Sequence, residues 1–172
     1  RRAVRDSLGH PAVFAYMIGN EIPPDIVRWY GPERTQSFLR TLYEDVKSLA
    51  PHALVSYANF PPTEYLDLEF LDFVCFNVYL HHEDAFRRYL GRLQNIAGDR
   101  PLVLTEHGID SVRLGEDVQA TTLSWQVRAA FESGLAGTCI FSWTDDWFTG
   151  GHQIEDWSFG LVTRDRHRKP AF

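Results

Sequence analysis

An α/β fold on a parallel sheet is what this sequence predicts, and three observations carry that expectation. Five short apolar runs rich in β-formers recur along the chain: "AVFAYMIG", "ALVSYAN", "LDFVCFNVY", "PLVLTE" and "GTCIFSW". Most lack strict in/out alternation, as strands covered on both faces do. Helical patterns lie between them, and strand–helix alternation implies right-handed βαβ units.

The first run ends abruptly in Asn20-Glu21, followed by Pro23 and Pro24. Those prolines keep Glu21 out of any continuing helix. After Pro32, apolar residues fall at Phe38, Leu39, Leu42, Tyr43, Val46 and Leu49, a helical stripe that Pro51 ends. The connection after the second run, "FPPTEYLDLEF", has room for one or two helical turns. Phe86, Tyr89, Leu90, Leu93 and Ile96 form a second stripe, closed by Gly98. Val127, Ala130, Phe131 and Leu135 form a third, after "GEDVQATTLSW". No linker, low-complexity segment or longer repeat interrupts the pattern, so residues 1–172 are expected to form one domain.

The bulk numbers exclude several classes of function. With 44% hydrophobic and 23% charged residues, the composition is that of a globular domain. A net charge of −6 argues against a nucleic-acid partner, and "RDRHRK" reads as a solvated basic tail. No apolar stretch approaches the roughly 18 residues of a membrane span. Cys75 and Cys139 both sit in apolar runs and are expected to be buried free thiols. No His, Cys, Asp and Glu set has metal-ligand spacing, so neither a metal nor another cofactor is expected. Aromatics reach 14% and cluster late, in "FSWTDDWFTGGHQIEDWSF".

The residues at the strand ends narrow the architecture. An open dinucleotide-binding sheet wants a Gly-rich turn after its first strand, and none is present. The strands instead exit into Asn20-Glu21, Asn59, Asn77 with Tyr79, Glu106-His107, and Trp143 with Asp145 and Asp146. Barrel enzymes collect such side chains at the carboxyl ends of their strands. Alone, a strand-end Glu is an ordinary loop residue. Glu21 and Glu106, at equivalent places in two βα units, are either two such loop residues or the paired carboxyls that glycoside hydrolysis requires.

Several motifs carry a resemblance. "RDSLGHPAVFAYMIGNEI" resembles the fourth-strand region of family 2 glycoside hydrolases, which ends in Asn-Glu. "LDFVCFNVYL" is similar to their sixth strand, "PLVLTEHGID" to the seventh and "GTCIFSWTDDW" to the eighth. "FGLVTRDRHRKPAF" resembles the tail beyond that strand. The resemblance spans essentially the whole chain. It implies a partial (β/α)8 TIM barrel, with strands matching the fourth to the eighth. It also implies a retaining β-glycosidase domain working through a covalent glycosyl-enzyme. Residue by residue, Glu21 matches the general acid/base and Glu106 the nucleophile. Asn20 matches the amide that contacts the sugar 2-hydroxyl, Tyr79 the phenol that orients the nucleophile, and Trp143 the aromatic floor of the sugar subsite.

Asn77 and His107 join these as expected substrate contacts. Trp147 and Trp157 either stack on further sugar units or fold the loop over, and His82 and His152 lie near the same strand ends. A non-catalytic saccharide-binding module is the alternative reading, and a transglycosylase is a variant of the first. The expected ligand is a saccharide, with no membrane or nucleic-acid partner. A barrel of this kind needs about 200–250 residues or more. The chain is therefore expected to be part of a larger protein, inactive alone, and to associate with the missing barrel half or with copies of itself.

Overall fold

The computed structural model describes residues 1–172. The elements run α1 (Arg2–Ser7), β1 (Ala15–Asn20), α2 (Pro24–Tyr30), α3 (Pro32–Leu49), β2 (Leu54–Asn59) and, after a single 3₁₀ turn (Pro61–Thr63), β3 (Val74–Asn77). Then come α4 (Glu83–Ala97), β4 (Leu102–His107), α5 (Ser111–Leu114), α6 (Glu116–Glu132), β5 (Gly137–Ile140) and a short hairpin of β6 (Phe148–Thr149) and β7 (His152–Gln153). The five main strands are parallel and succeed one another in chain order, β1-β2-β3-β4-β5. An open doubly wound sheet reverses its strand order at a switch point. No reversal occurs here, which leaves consecutive units of a barrel.

The chain divides into two compact units, Arg1–Asn77 with Ala97–Val103, and Val78–Ile96 with Leu104–Phe172. In the first, α2 starts on Pro24 and stops at Gly31, whose φ of 88° few other residues adopt; Pro32 then opens α3. Leu39 of α3 and Val27 of α2 bury completely against Tyr57, Leu66, Leu68 and Leu71. Val46 and Ala50 join Val4 and Val55 in a second cluster. Asp72 fastens α3 to the start of β2. Its carboxylate accepts from the Val55 amide at 2.7 Å and pairs with Lys47 at 2.7 Å. Phe38, expected on the buried stripe, is 56% exposed because it lies off the face that Leu39 and Val46 define.

In the second unit α6 departs from expectation. It begins at Glu116, within the stretch read as its lead-in, and ends before Leu135. Its buried face carries Gln119, Thr122, Leu123, Gln126, Ala129 and Ala130, while Val127 and Phe131 turn outward, Phe131 being 83% exposed. The glutamines are inside because loop carbonyls need donors there. Gln119 Nε2 donates to the Ile109 carbonyl at 3.2 Å and Gln126 Nε2 to that of Leu80 at 3.1 Å. An apolar face would have left those carbonyls unpaired.

Two further expectations need correction. Cys75 is buried but Cys139 is exposed, since β5 stands last in the strand order with little of it fully covered. The "RDRHRK" stretch is solvated at Arg166, His167 and Arg168 but not at its last residue. Lys169 is 5% exposed; its ammonium meets Asp145 Oδ1 at 2.9 Å and Ser111 Oγ at 3.1 Å. The same Asp145 oxygen accepts from the Gly160 amide at 2.8 Å, so a single carboxylate ties the end of the chain to the loop after β5. Arg166 adds an ion pair to Asp146 at 2.6 Å.

A buried charge left without its partner costs far more than an exposed one. Lys169→Ala is expected to destabilise the chain by about 3–5 kcal/mol, read as a lower urea midpoint by tryptophan fluorescence. A loss below about 1 kcal/mol would mean that the pair is solvated in solution.

Candidate active site

The first carboxylate owes its placement to an irregularity in β1. Met17 pairs with Ser56 and Asn20 with Ala58, so Ile18 and Gly19 together oppose Tyr57 alone. This is a β-bulge, which re-aims the residues beyond it. Gly19 permits it, because a Cβ there would come within 3.2 Å of the Tyr57 ring. The chain then turns sharply at Glu21, whose φ is 44°. A non-glycine residue in that region costs on the order of 1–2 kcal/mol. β2 supplies what holds it: the Glu21 amide donates to the Ala58 carbonyl at 2.9 Å, and the Ile22 amide to the Tyr57 hydroxyl at 2.8 Å.

Asn77, at the end of β3, completes this group. Its Nδ2 donates to Asn20 Oδ1 and to Glu21 Oε1, both at 2.9 Å. Both amide hydrogens are thereby spent, and the residue is 1% exposed. Asn77 positions the other two and is too buried for the substrate contact expected of it. Asn20 is exposed and accepts through its oxygen, which leaves its own amide N–H groups for a ligand. Burial of Tyr57 raises its phenol above the ordinary value; the Ile22 N–H bond opposes that, and the Glu21 charge adds to it. Asn59, the other strand-end amide, is spent on the turn after β2, accepting from Thr63 Oγ1 at 2.7 Å and from the Phe60 amide at 2.9 Å.

The second carboxylate, Glu106 on β4, accepts a hydrogen bond from the Tyr79 hydroxyl at 2.7 Å. Aromatic side chains wall in that phenol. The Tyr79 ring meets Phe141 edge-on at 6.2 Å and Phe159 at 5.9 Å. Phe141 in turn packs on Trp147 at 5.3 Å and Trp157 at 6.1 Å. Trp143, expected as the aromatic floor, is 58% exposed and lies against Phe172 at 5.7 Å. Besides Phe159, the other ring on Tyr79 is Phe141, a residue absent from the expected site. Its one sequence signal is its place immediately after the last residue of β5. Gly108 lets this part close up, since a Cβ there would collide with the Phe141 carbonyl.

His107 is next to Glu106 on the same strand and so points to the opposite face. It is fully buried, with Nδ1 2.9 Å from Gln126 Oε1 and the ring edge-on to Phe86 at 6.4 Å. Since Gln126 Oε1 can only accept, Nδ1 carries the proton; Nε2 has no protein partner. Burial pushes the imidazole pKa below its ordinary 6.5, although the Gln126 bond resists. His107 therefore braces β4 against α6, a correction to its expected sugar contact: its burial leaves nothing for a ligand to reach. His82 and His152 are exposed. No three or more His, Cys, Asp or Glu side chains are grouped so as to hold a metal ion.

No protein-family model matches the chain, and no curated protein matches it. Solved structures do. A GH2 β-galacturonidase from Eisenbergiella tayi, bound to galacturonate, superposes with TM-score 0.80 at 23% identity, covering 99% of this chain and 34% of that one. A β-glucuronidase from Ruminococcus gnavus in complex with D-glucuronic acid gives 0.77 at 20%, covering 94% and 31%. GH5_18 from Streptomyces cattleya, in complex with GlcNAc, gives 0.81 at 17%, covering 99% and 49%. The chain thus spans about a third of the length of the two uronidases.

The lowered pKa of His107 has a sign that can be checked. Between its folded value and about 6.5, the unfolded chain binds a proton that the folded ring resists, so stability falls as pH drops through that window. Urea midpoints measured from pH 7 downward are expected to show a steeper decline in the wild type than in His107→Phe. Identical slopes would mean that the imidazole is not desolvated. The fold around this buried pair and the two carboxylates, residues 1–172 as a whole, is that of part of a (β/α)8 barrel similar to those of the glycoside hydrolases just named.

Proposed function

We propose that the chain supplies the last five βα units of a retaining β-glycosidase, in which Glu106 is the nucleophile and Glu21 the general acid/base. The observation that carries this reading is the matched treatment of two strand-end carboxylates. Each is held by a hydrogen bond from a different neighbouring side chain, Asn77 for Glu21 and Tyr79 for Glu106. Glycosidase neighbours and the motif resemblance favour family 2 within this class of barrels.

Those partners suit the chemistry. The Tyr79 phenol holds the Glu106 carboxyl group in place, and it is the carboxylate form of such a group that attacks an anomeric carbon. Glu21 donates its proton to the leaving oxygen as the bond breaks. It then takes a proton from the water that releases the sugar from Glu106. Double displacement asks for carboxyl groups roughly 5–5.5 Å apart. The Asn20 amide N–H groups supply donors for the sugar 2-hydroxyl, and the exposed Trp143 indole offers an apolar face for stacking. The remaining barrel units come from outside residues 1–172. They dock on β1, which pairs only with β2; Met17 on that strand (43%) and Phe14 (77%) and Val13 (38%) just before it are exposed. Without them, copies of the chain associate through the same strand, and turnover is absent.

On the assembled barrel, a 2-deoxy-2-fluoro glycoside is expected to leave its sugar esterified to Glu106, located by peptide mass spectrometry. A label elsewhere, or binding with no label at all, would sink the nucleophile assignment. Glu21→Ala is expected to lose about 10²–10⁴-fold on substrates with poor leaving groups. Glycosylation by activated aryl glycosides should survive, with azide restoring turnover; equal losses on both substrate types count against the acid/base role. For the isolated chain, light scattering is expected to show oligomers that Met17→Lys dissociates. A wild-type monomer would remove β1 as the docking edge.

A further inference from the structure

The second unit holds a pocket of about 350 Å³ to which no role has been assigned. Its wall comes from the segments that succeed β3, β4 and β5 in the chain: His81, then Asp110 and Arg113, then Asp156, Trp157 and Phe159. The volume lies at the small end of ligand sites, enough for a single ring. The wall is apolar and aromatic in part, with Trp157 37% exposed beside Phe159 at 5.4 Å. Around it stand polar groups of both signs. Arg113 and Asp156 are exposed, and neither side chain has a hydrogen bond or ion pair within the protein. Asp110 spends Oδ1 on the Val112 and Ser158 amides, at 3.2 and 2.8 Å, which leaves Oδ2. His81 places Nε2 3.2 Å from the Gly108 carbonyl.

That mixture selects a kind of ligand. Two carboxylates disfavour an anion, and the guanidinium disfavours a cation. An aromatic wall without polar partners would suit a purely apolar guest, but here the rim asks for hydrogen bonds. A pyranose meets both demands: its C–H face lies on an indole while its hydroxyls donate to carboxylates and accept from Arg113. The pocket is also wired to the proposed nucleophile. Phe159 and Trp157 line it, Phe159 packs at 5.9 Å on the Tyr79 ring, and the Tyr79 hydroxyl holds Glu106 at 2.7 Å.

We propose that this pocket is a saccharide subsite for a neutral pyranose, one that takes a second sugar unit of the substrate or of an acceptor. It rests on the glycosidase reading for its place in the reaction, though not for its chemistry. The test is a titration of methyl β-D-glucopyranoside into the chain, monitored by NMR at the Trp157 indole N–H. Glycerol and sodium glucuronate serve as comparisons. The expected result is a saturable shift that neither comparison reproduces. Arg113→Ala and Asp156→Asn, both at exposed positions, should each weaken it by roughly fivefold or more, and Trp157→Ala should abolish it. No saturable shift, an equal response to glycerol, tighter binding of glucuronate, or indifference to the Arg113 and Asp156 substitutions would overturn the proposal. If the sugar binds while the fluoro-sugar leaves Glu106 unlabelled, the subsite stands and the catalytic reading falls. If Glu106 is labelled and the titration is flat, the reverse holds.

Discussion

The Glu21 main chain sits in a conformation that an L-amino acid avoids, and the surrounding contacts exist to keep it there. Two successive amides, those of Glu21 and Ile22, are bound by β2, one through a carbonyl and the other through the Tyr57 hydroxyl. Strain of this kind persists only where neighbours over-determine it. Tyr57 does so from full burial, with Val27 and Leu39 packed in the same cluster. The hydrophobic core of the first unit and the pose of a carboxylate are therefore one mechanical object. A defect in packing around Tyr57 propagates to the Glu21 side chain.

The second unit solves the same problem with polar groups. Glu106 leans on a phenol whose ring is boxed by Phe141 and Phe159. On the far face of its strand, His107 and Gln126 form a buried pair that also satisfies the Leu80 carbonyl. Such networks favour a single arrangement, since any slip of α6 against β4 strands several polar atoms at once. The cost is a weak point toward acid, where the imidazole resists a proton that the unfolded chain accepts.

How far the sequence could be read depended on the length scale. The strands and the long helices were legible because hydrophobic period is a local property; β2, β3 and β5 fall inside the runs that predicted them. Charge pattern misled at Lys169, where a basic run looked solvated although a buried carboxylate waits for it. The α6 stripe misled for a related reason: Gln119 and Gln126 look external until the loop carbonyls they serve are known. Among the site residues, the residue types at positions 20, 21, 77, 79 and 106 drew attention, yet their partners are tertiary. Nothing local says that both Asn77 hydrogens are consumed, or that Phe141 rather than Trp143 reaches Tyr79.

The extra residue in β1 sets the phase of everything after it. Side chains alternate along a strand, so a one-residue shift exchanges the two faces. Three steps along β1 match two along β2 between Met17 and Asn20. Erasing Ile18 or Gly19 would restore a one-to-one ladder and exchange the face to which Asn20 turns at the end of the strand. What looks like an imperfection in hydrogen bonding thus acts as a spacer, and the chemistry assigned to Glu21 is written in its parity.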